Sequence, residues 1–313
     1  MDDNTLGRGV FRFMIFLLAL NIVTLILLST VIDVRSILNT PKGVSILSLG
    51  MFIFLLEITI FVIWNSVLTS GWKTALLAFS LNFFIAFTAE ALGVNFGIIF
   101  GNYYYTELLG PQVFGVPILI GLAWEPILYA SFYITDILIP SNIEPKDASQ
   151  KLILVIGLSL VGALATTAWD TMMDPFAVSR GWWIWRDGGP YTPYIENGVP
   201  ISNFIGWLIT AFVCQMVCRI IKDKGAKPRK SVYLSIYGPI GLYGLLFIQL
   251  LGVCIVFIQR PEVALIGLMC MGSFLIVALN MAFAGRRDFA LAGNPKPGES
   301  ELPERPLTGG ASH

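Results

Sequence analysis

Histidine is nearly absent from this 313-residue chain: the single one is His313. Histidine general-base catalysis, haem ligation and di-iron clusters of the Glu-x-x-His type are thereby excluded from its apolar segments. Charge is also scarce, at 13% of residues, and the formal net charge is zero. No basic patch with interleaved aromatics is present, so nucleic acid is not an expected partner. The four cysteines, Cys214, Cys218, Cys254 and Cys270, all fall inside apolar runs. A free thiol there is most often a small packing residue. Cys214 and Cys218 share a helical face, but no histidine lies near them, so no metal site is expected. Any acid or base within the apolar segments must then be a carboxylate, a tyrosine or a lysine.

What the chain has instead is length in apolar runs. Hydrophobic residues make up 56% of it, and the mean hydropathy is +0.75. Windows of about 20 residues predict spans near 11–31, 44–67, 73–92, 113–139, 152–173, 201–221, 231–257 and 263–284. The expected fold is all-α: a polytopic membrane protein of about eight transmembrane helices, multi-pass in the cell membrane. The first run lacks a small-residue cleavage site and reads as a retained helix. With the amino terminus inside, fifteen of the twenty Lys and Arg residues fall on the cytoplasmic side, and Arg35, Lys42, Arg180, Arg186 and Arg260 fall opposite. The basic cluster from Arg219 to Lys230 anchors that orientation. The division expected is one transmembrane domain over 1–285 and a disordered cytoplasmic tail over 286–313, rich in Pro, Gly, Glu and Ser.

Five acids sit within or at the ends of the spans: Glu57, Glu90, Glu125, Asp170 and Asp174. Asp170 and Asp174, four residues apart, share one helical face. Carboxylates at membrane depth cost free energy and usually face a protein interior or a wet cavity, which makes the pair a candidate site. Under the alternating topology, Glu90, Glu125, Asp170 and Asp174 converge on the outer half of the bundle, whereas Glu57 lies mid-span. The competing reading for each is a buried carboxyl paired with a neighbour for packing specificity. It is strongest for Glu57.

The loops on the same side carry glycine and aromatics. Residues 93–106 place glycines for close backbone approach ahead of Tyr103, Tyr104 and Tyr105. After the fifth span, Trp182, Trp183 and Trp185 lead into a Gly- and Pro-rich stretch with Tyr191 and Tyr194. Isolated interfacial Trp and Tyr usually form a membrane belt. Here they crowd beside acids in a connection longer than most, so a lid over the bundle mouth is expected from Gly181 to Tyr194. Aromatic faces also stabilise cations.

The set Glu90-Ala-Leu-Gly-Val-Asn-Phe-Gly97, Phe100-Gly-Asn-Tyr-Tyr-Tyr-Thr106, Leu109-Gly-Pro111, Gly115-Val-Pro117, Ala123-Trp-Glu-Pro126, Ala168-Trp-Asp170 with Asp174-Pro175, Gly181-Trp-Trp-Ile-Trp185 and Gly198-Val-Pro-Ile-Ser-Asn203 with Gly206-Trp207 resembles the membrane carotenoid hydratases. That family includes carotenoid 1,2-hydratases and bisanhydrobacterioruberin hydratase. The resemblance is strong over 75–210 and rests on helix count elsewhere. It implies addition of water across the terminal C1–C2 double bond of a linear carotenoid ψ end group, giving a tertiary alcohol without any cofactor. It also implies linear carotenoid, water and the bilayer as partners, with other carotenoid biosynthesis enzymes nearby.

Hydrating a trisubstituted alkene needs a proton donor, a means of holding a tertiary cation, and one positioned water. Of two carboxyl groups in an apolar site, one can stay protonated while the other orients water. Asp170, Asp174 and Glu90 are assigned to this catalytic group. Trp169, Trp182, Trp183 and Tyr104 are expected to flank the cation, with Glu125 and Trp124 also on the substrate, and Asn203 is expected to bond water or a carboxylate. Two other classes share these features. Intramembrane prenyltransferases use Asp-x-x-x-Asp to hold Mg²⁺ against a diphosphate, but this chain has no second acidic motif. A proton-coupled transporter uses buried acids too, but the two halves of this chain show no matching patterns.

Overall fold

A computed structural model describes residues 3–30, 40–138, 145–187, 189–192, 198–223, 236–258 and 260–292. Eight α-helices occur among them: α1 (Asp3–Thr30), α2 (Pro41–Ser70), α3 (Trp72–Phe96), α4 (Ile118–Leu138), α5 (Ala148–Ser179), α6 (Ile201–Asp223), α7 (Gly238–Val253) and α8 (Pro261–Ala292). Seven of them, α2 to α8, are long and apolar enough to cross a membrane. The chain is thus an all-α multi-pass membrane protein. The first expected span coincides with α1, which packs on α7, with Phe11 edge-on to Tyr237 at 5.8 Å between ring centroids. The last helix continues to Ala292, past the expected start of the tail at 286. The remainder of that tail, most of the basic loop from Arg219 to Lys230, and Tyr194 lie outside the described residues.

Burial ranks the helices. In the apolar windows, 78% of α4 and 67% of α7 is buried inside the protein, against 28% for α3 and α8. An isolated α4 would satisfy its own backbone in lipid, but its side chains meet protein on nearly all sides. It packs against α2, α3, α5 and α7, and so forms the bundle's axis. Lipid tails are as apolar as these side chains, so packing and hydrogen bonds hold such helices together. Two of those bonds tie the far ends of α4 and α6 and of α2 and α4: Arg219 Nη1 donates to Asp136 Oδ1 at 2.7 Å, and Asn65 Nδ2 to the Tyr129 hydroxyl at 2.6 Å. By the charge rule the end carrying Asp136 and Arg219 is taken as the inner one. The opposite end is outer.

The outer end is closed by strands. β1 (Asn102–Tyr105) pairs antiparallel with β4 (Trp183–Asp187), and β2 (Gln112–Val113) with β3 (Val116–Pro117). The α3–α4 and α5–α6 connections are therefore stitched to each other. Thr106 adds an Oγ1 hydrogen bond to the Gly181 carbonyl at 2.8 Å, and Trp185 Nε1 donates to the Phe100 carbonyl at 3.2 Å. The expected lid over the bundle mouth, as far as it is described, is this hairpin-like ribbon. Gly97 makes the turn into it: φ is +66°, left-handed, and its N–H caps α3 by donating to the Gly93 carbonyl at 2.8 Å. A side chain is disfavoured there.

Candidate active site

Four helix ends meet beneath the ribbon: the ends of α3 and α5 and the starts of α4 and α6. α3 brings Glu90 inward, α5 brings Asp170 and Asp174, and α6 brings Asn203. Glu90, Asp170, Asp174 and Asn203 are all buried. Trp124, nearly two turns into α4, donates Nε1–H to Glu90 Oε1 at 3.0 Å. On α5 the spacing of four stacks Asp170 and Asp174, and Pro175 then removes the N–H that would have bonded the Thr171 carbonyl.

Glu90 accepts hydrogen bonds only from donors. Tyr105 reaches its Oε2 at 2.8 Å, and Tyr103 donates to the same oxygen. Burial, and after it the neighbouring Glu90 charge, holds both phenols well above the ordinary tyrosine range, so they remain O–H donors. Three neutral donors around one carboxyl stabilise its ionised form.

The aspartates are wired differently. A single amide nitrogen, Asn203 Nδ2, donates to Asp170 Oδ2 at 3.0 Å and to Asp174 Oδ2. Asp170 Oδ1 is buried with no hydrogen-bond partner. An amide thus bridges the two carboxyl groups, and among the described residues no cation bonds either of them. The outer end therefore presents a carboxyl group ringed by donors on α3 and an amide-bridged carboxyl pair on α5.

Between them lies a chamber of about 40 Å³, lined by Glu90, Asp174, Asn203, Tyr103, Tyr105 and an aromatic wall of Trp124, Trp169, Trp183, Trp185 and Trp207. Its volume suits roughly one water molecule, whose share of the liquid is about 30 Å³. Trp124 and Trp207 stack with centroids 3.8 Å apart and 18° between planes. Against the chamber runs a second, apolar crevice of about 70 Å³ between α2, α4, α5 and α7. The two share Ile120, Ala123, Trp169, Met173 and Trp183 as walls. Water-sized polar space and apolar space thus meet at Trp169 and Trp183.

Most of the side chains expected from the sequence come together here: Glu90, Asp170, Asp174, Asn203, Trp124, Trp169 and Trp183. Trp182 is buried one step away, in the crevice wall, edge-on to Phe176 at 5.3 Å. Two do not join. Tyr104 alternates to the outside of β1, where the Arg186 guanidinium sits 4.8 Å over its ring. Glu125 follows Trp124 in sequence but points to another side of α4 and lines a different cavity. The convergence expected of four acids is therefore one of three. Glu57 is exposed on α2, outside this cluster.

Sequence reasoning missed Tyr103, Tyr105, Trp185 and Trp207. The first three carried a signal: a strand through 102–105 puts 103 and 105 on one face, and pairing with 183–187 puts Trp183 and Trp185 opposite Tyr105 and Tyr103. Trp207 follows Gly206, where an added methyl would come within 2.6 Å of the Ile99 carbonyl. Only glycine lets α6 approach the 97–101 turn so closely.

Among the described residues, no three His, Cys, Asp or Glu side chains gather closely enough to hold a metal ion. No curated protein and no solved structure matches the chain. The profile of one family does match, over residues 49–274, which takes in every side chain of the chamber. A match over most of the length, centred on the bundle that carries the acids, makes the chain a member of the carotenoid biosynthesis protein family.

Proposed function

We propose that the protein is a carotenoid hydratase, adding water across the terminal C1–C2 double bond of a linear ψ end group. The observation that carries this reading is the pairing of an amide-bridged Asp170–Asp174 couple with a donor-ringed Glu90 across a water-sized, tryptophan-walled chamber that opens on apolar space.

The end group lies in the crevice with its terminal double bond at Trp169 and Trp183. Asp174, which lines the chamber, transfers the shared proton to C2, and Asp170 sits behind it as proton partner. The positive charge then rests on C1, the tertiary carbon, facing indole rings whose π-faces stabilise it. Glu90 orients the chamber water and accepts its proton as the oxygen bonds to C1. Alkene plus water gives a tertiary alcohol, and one proton returns from Glu90 to the aspartates. Redox chemistry has no part in this sequence, so neither oxygen nor a nicotinamide or flavin is consumed.

The test is expression in a lycopene-producing bacterium grown in H₂¹⁸O. The expected product is a carotenoid heavier by one labelled water, formed equally well without oxygen and in EDTA. Product oxygen drawn from O₂ would replace the reading with an oxygenase. Loss of activity on chelation, restored by Mg²⁺, would replace it with a prenyltransferase. The family match supports a place in carotenoid biosynthesis. The reaction, the site in the cell membrane and association with neighbouring pathway enzymes belong to the proposal.

A further inference from the structure

The most spacious of the cavities described is not the acid chamber. It lies in the inner half of the bundle, between α2, α3, α4 and α6, and its volume is about 360 Å³. That falls within the roughly 300–1,000 Å³ usual for small-molecule sites. Its walls are mostly apolar, among them Phe79, Leu128 and Phe132. The polar groups that face it are mostly engaged. Tyr129 accepts from Asn65 at 2.6 Å, Tyr133 bonds Thr69 at 3.2 Å and Ser70 at 3.3 Å, and Cys218 donates its thiol hydrogen to Asn82 at 3.2 Å. Two oxygens are the exceptions, Gln215 Oε1 and Glu125 Oε1: both residues line the cavity and neither oxygen has a hydrogen-bond partner. Glu125 is the acid of the two, 2% exposed, with Asn82 and the Phe83 backbone bonding its carboxyl group while Oε1 stays unpaired.

We propose that this cavity is a second binding site, for the hydroxyl-bearing end of an isoprenoid alcohol, with Glu125 as its hydrogen-bonding anchor. A buried carboxyl oxygen left without a partner is costly, and native proteins rarely leave one so. The complement must bring a polar terminus on an apolar body, because the rest of the wall is mostly apolar, with Gln215 Oε1 as a second acceptor for the same terminus. A hydroxyl fits in either protonation state of Glu125, donating to a carboxylate or accepting from a carboxylic acid. A diphosphate does not fit, since no Lys or Arg lines the cavity. Arg219 is turned to Asp136 and to the ring of Phe132.

The rim explains how such a ligand arrives. Ile63, Val67, Trp72 and Leu76 line the cavity and are also exposed on the bundle's flank, where the bilayer lies. A lipid-soluble chain enters sideways between α2 and α3 with its polar end leading. The isoprenoid body follows from membership in a carotenoid biosynthesis family. The tertiary alcohol of the proposed hydration belongs to this ligand class. The site is separate from the acid chamber, however, and its existence does not depend on the reaction performed there.

The probe is a photoreactive diazirine analogue of geranylgeraniol, added to the full chain in lipid nanodiscs and mapped by peptide mass spectrometry. Labelling is expected on the α4 and α6 walls around Tyr129, Cys214 and Cys218. It should fall roughly tenfold when the hydroxyl is replaced by hydrogen, a comparison made on the unaltered protein. Glu125→Leu should lower it to a similar extent, whereas Asp170→Asn should leave it unchanged. Equal labelling by alcohol and hydrocarbon, or labelling indifferent to Glu125→Leu in a folded variant, would overturn the proposal. So would stronger labelling by the corresponding primary amine, which would make the ligand a cation.

Discussion

The two halves of the bundle solve the problem of buried polarity in opposite ways. At the outer end, three acids, an asparagine and two tyrosines are bonded to one another around a space of about 40 Å³. At the inner end, one acid borders about 360 Å³ of mostly apolar space with an oxygen unpaired. Size and chemistry therefore run in inverse order. A densely bonded site holds its groups in place and tolerates little displacement, which suits proton transfer. A roomy one with a single anchor suits retention of a flexible chain, where burial of apolar surface supplies the affinity. Cavity volume alone points to the inner end, whereas the proposed reaction uses the outer one.

The strongest way to break this contrast is to remove an acid from each half. Asp174→Asn and Asp170→Asn are each expected to lower turnover about a hundredfold or more, the usual worth of acid–base assistance. Glu125→Gln should change turnover less than about threefold, since Glu125 touches none of the acid chamber. Product formation from a linear carotenoid in nanodiscs checks all three at matched protein levels. Full activity in both aspartate variants would end the assignment. Because the donor must carry its proton at the start of each turnover, the rate of the unaltered protein should fall as pH rises past the point where the couple loses it.

Hydrogen bonding to Glu90 comes next in size. Tyr103→Phe and Tyr105→Phe should each reduce turnover roughly tenfold or somewhat more, since one bond to a charged group is worth about 1.5 to 3 kcal/mol and each 1.4 kcal/mol is a factor of ten. Tyr104→Phe, on the other face of the same strand, should have no measurable effect. Equal effects from all three would mean that the strand alternation does not govern the site.

Packing of the roof gives a smaller, structural effect. Gly206→Ala forces a methyl against the Ile99 carbonyl and the Phe100 ring, and overpacking of this kind costs about 1–3 kcal/mol. The melting temperature should drop, and near-ultraviolet dichroism from the stacked Trp124–Trp207 pair should weaken. The smallest signal expected is a null one. Ultraviolet titration of Tyr103→Phe/Tyr105→Phe and of the unaltered protein should superimpose below about pH 10, the ordinary tyrosine value, because burial keeps both phenols protonated there. Early tyrosinate absorbance lost in the variant would show that these phenols are open to water.

Within the site, legibility followed period. Asp170 and Asp174 could be paired from the sequence because a helix repeats every 3.6 residues and four places apart means the same face. Asn203 and Trp169 followed from lying at helix ends on the same side. Tyr104 lies on the other strand face from Tyr103 and Tyr105, and the face of each tyrosine becomes legible only once a strand is assigned to 102–105. Glu125 misled for a related reason. Depth along a helix can be counted from sequence, but the direction around its axis turns by about 100° per residue, so Trp124 and Glu125 face different cavities.

By itself the sequence determined the membrane class, the run of helices and the depth of each acid, because apolar length and periodicity are local properties that the bilayer enforces without help from the rest of the chain. Tertiary structure decided which acids meet, which tyrosines serve them and where the open space lies. Those depend on how α3, α4, α5 and α6 rotate against one another and on the pairing of β1 with β4 across some eighty residues of chain. Contacts between distant segments are set by packing over the whole bundle, and no window of sequence contains them.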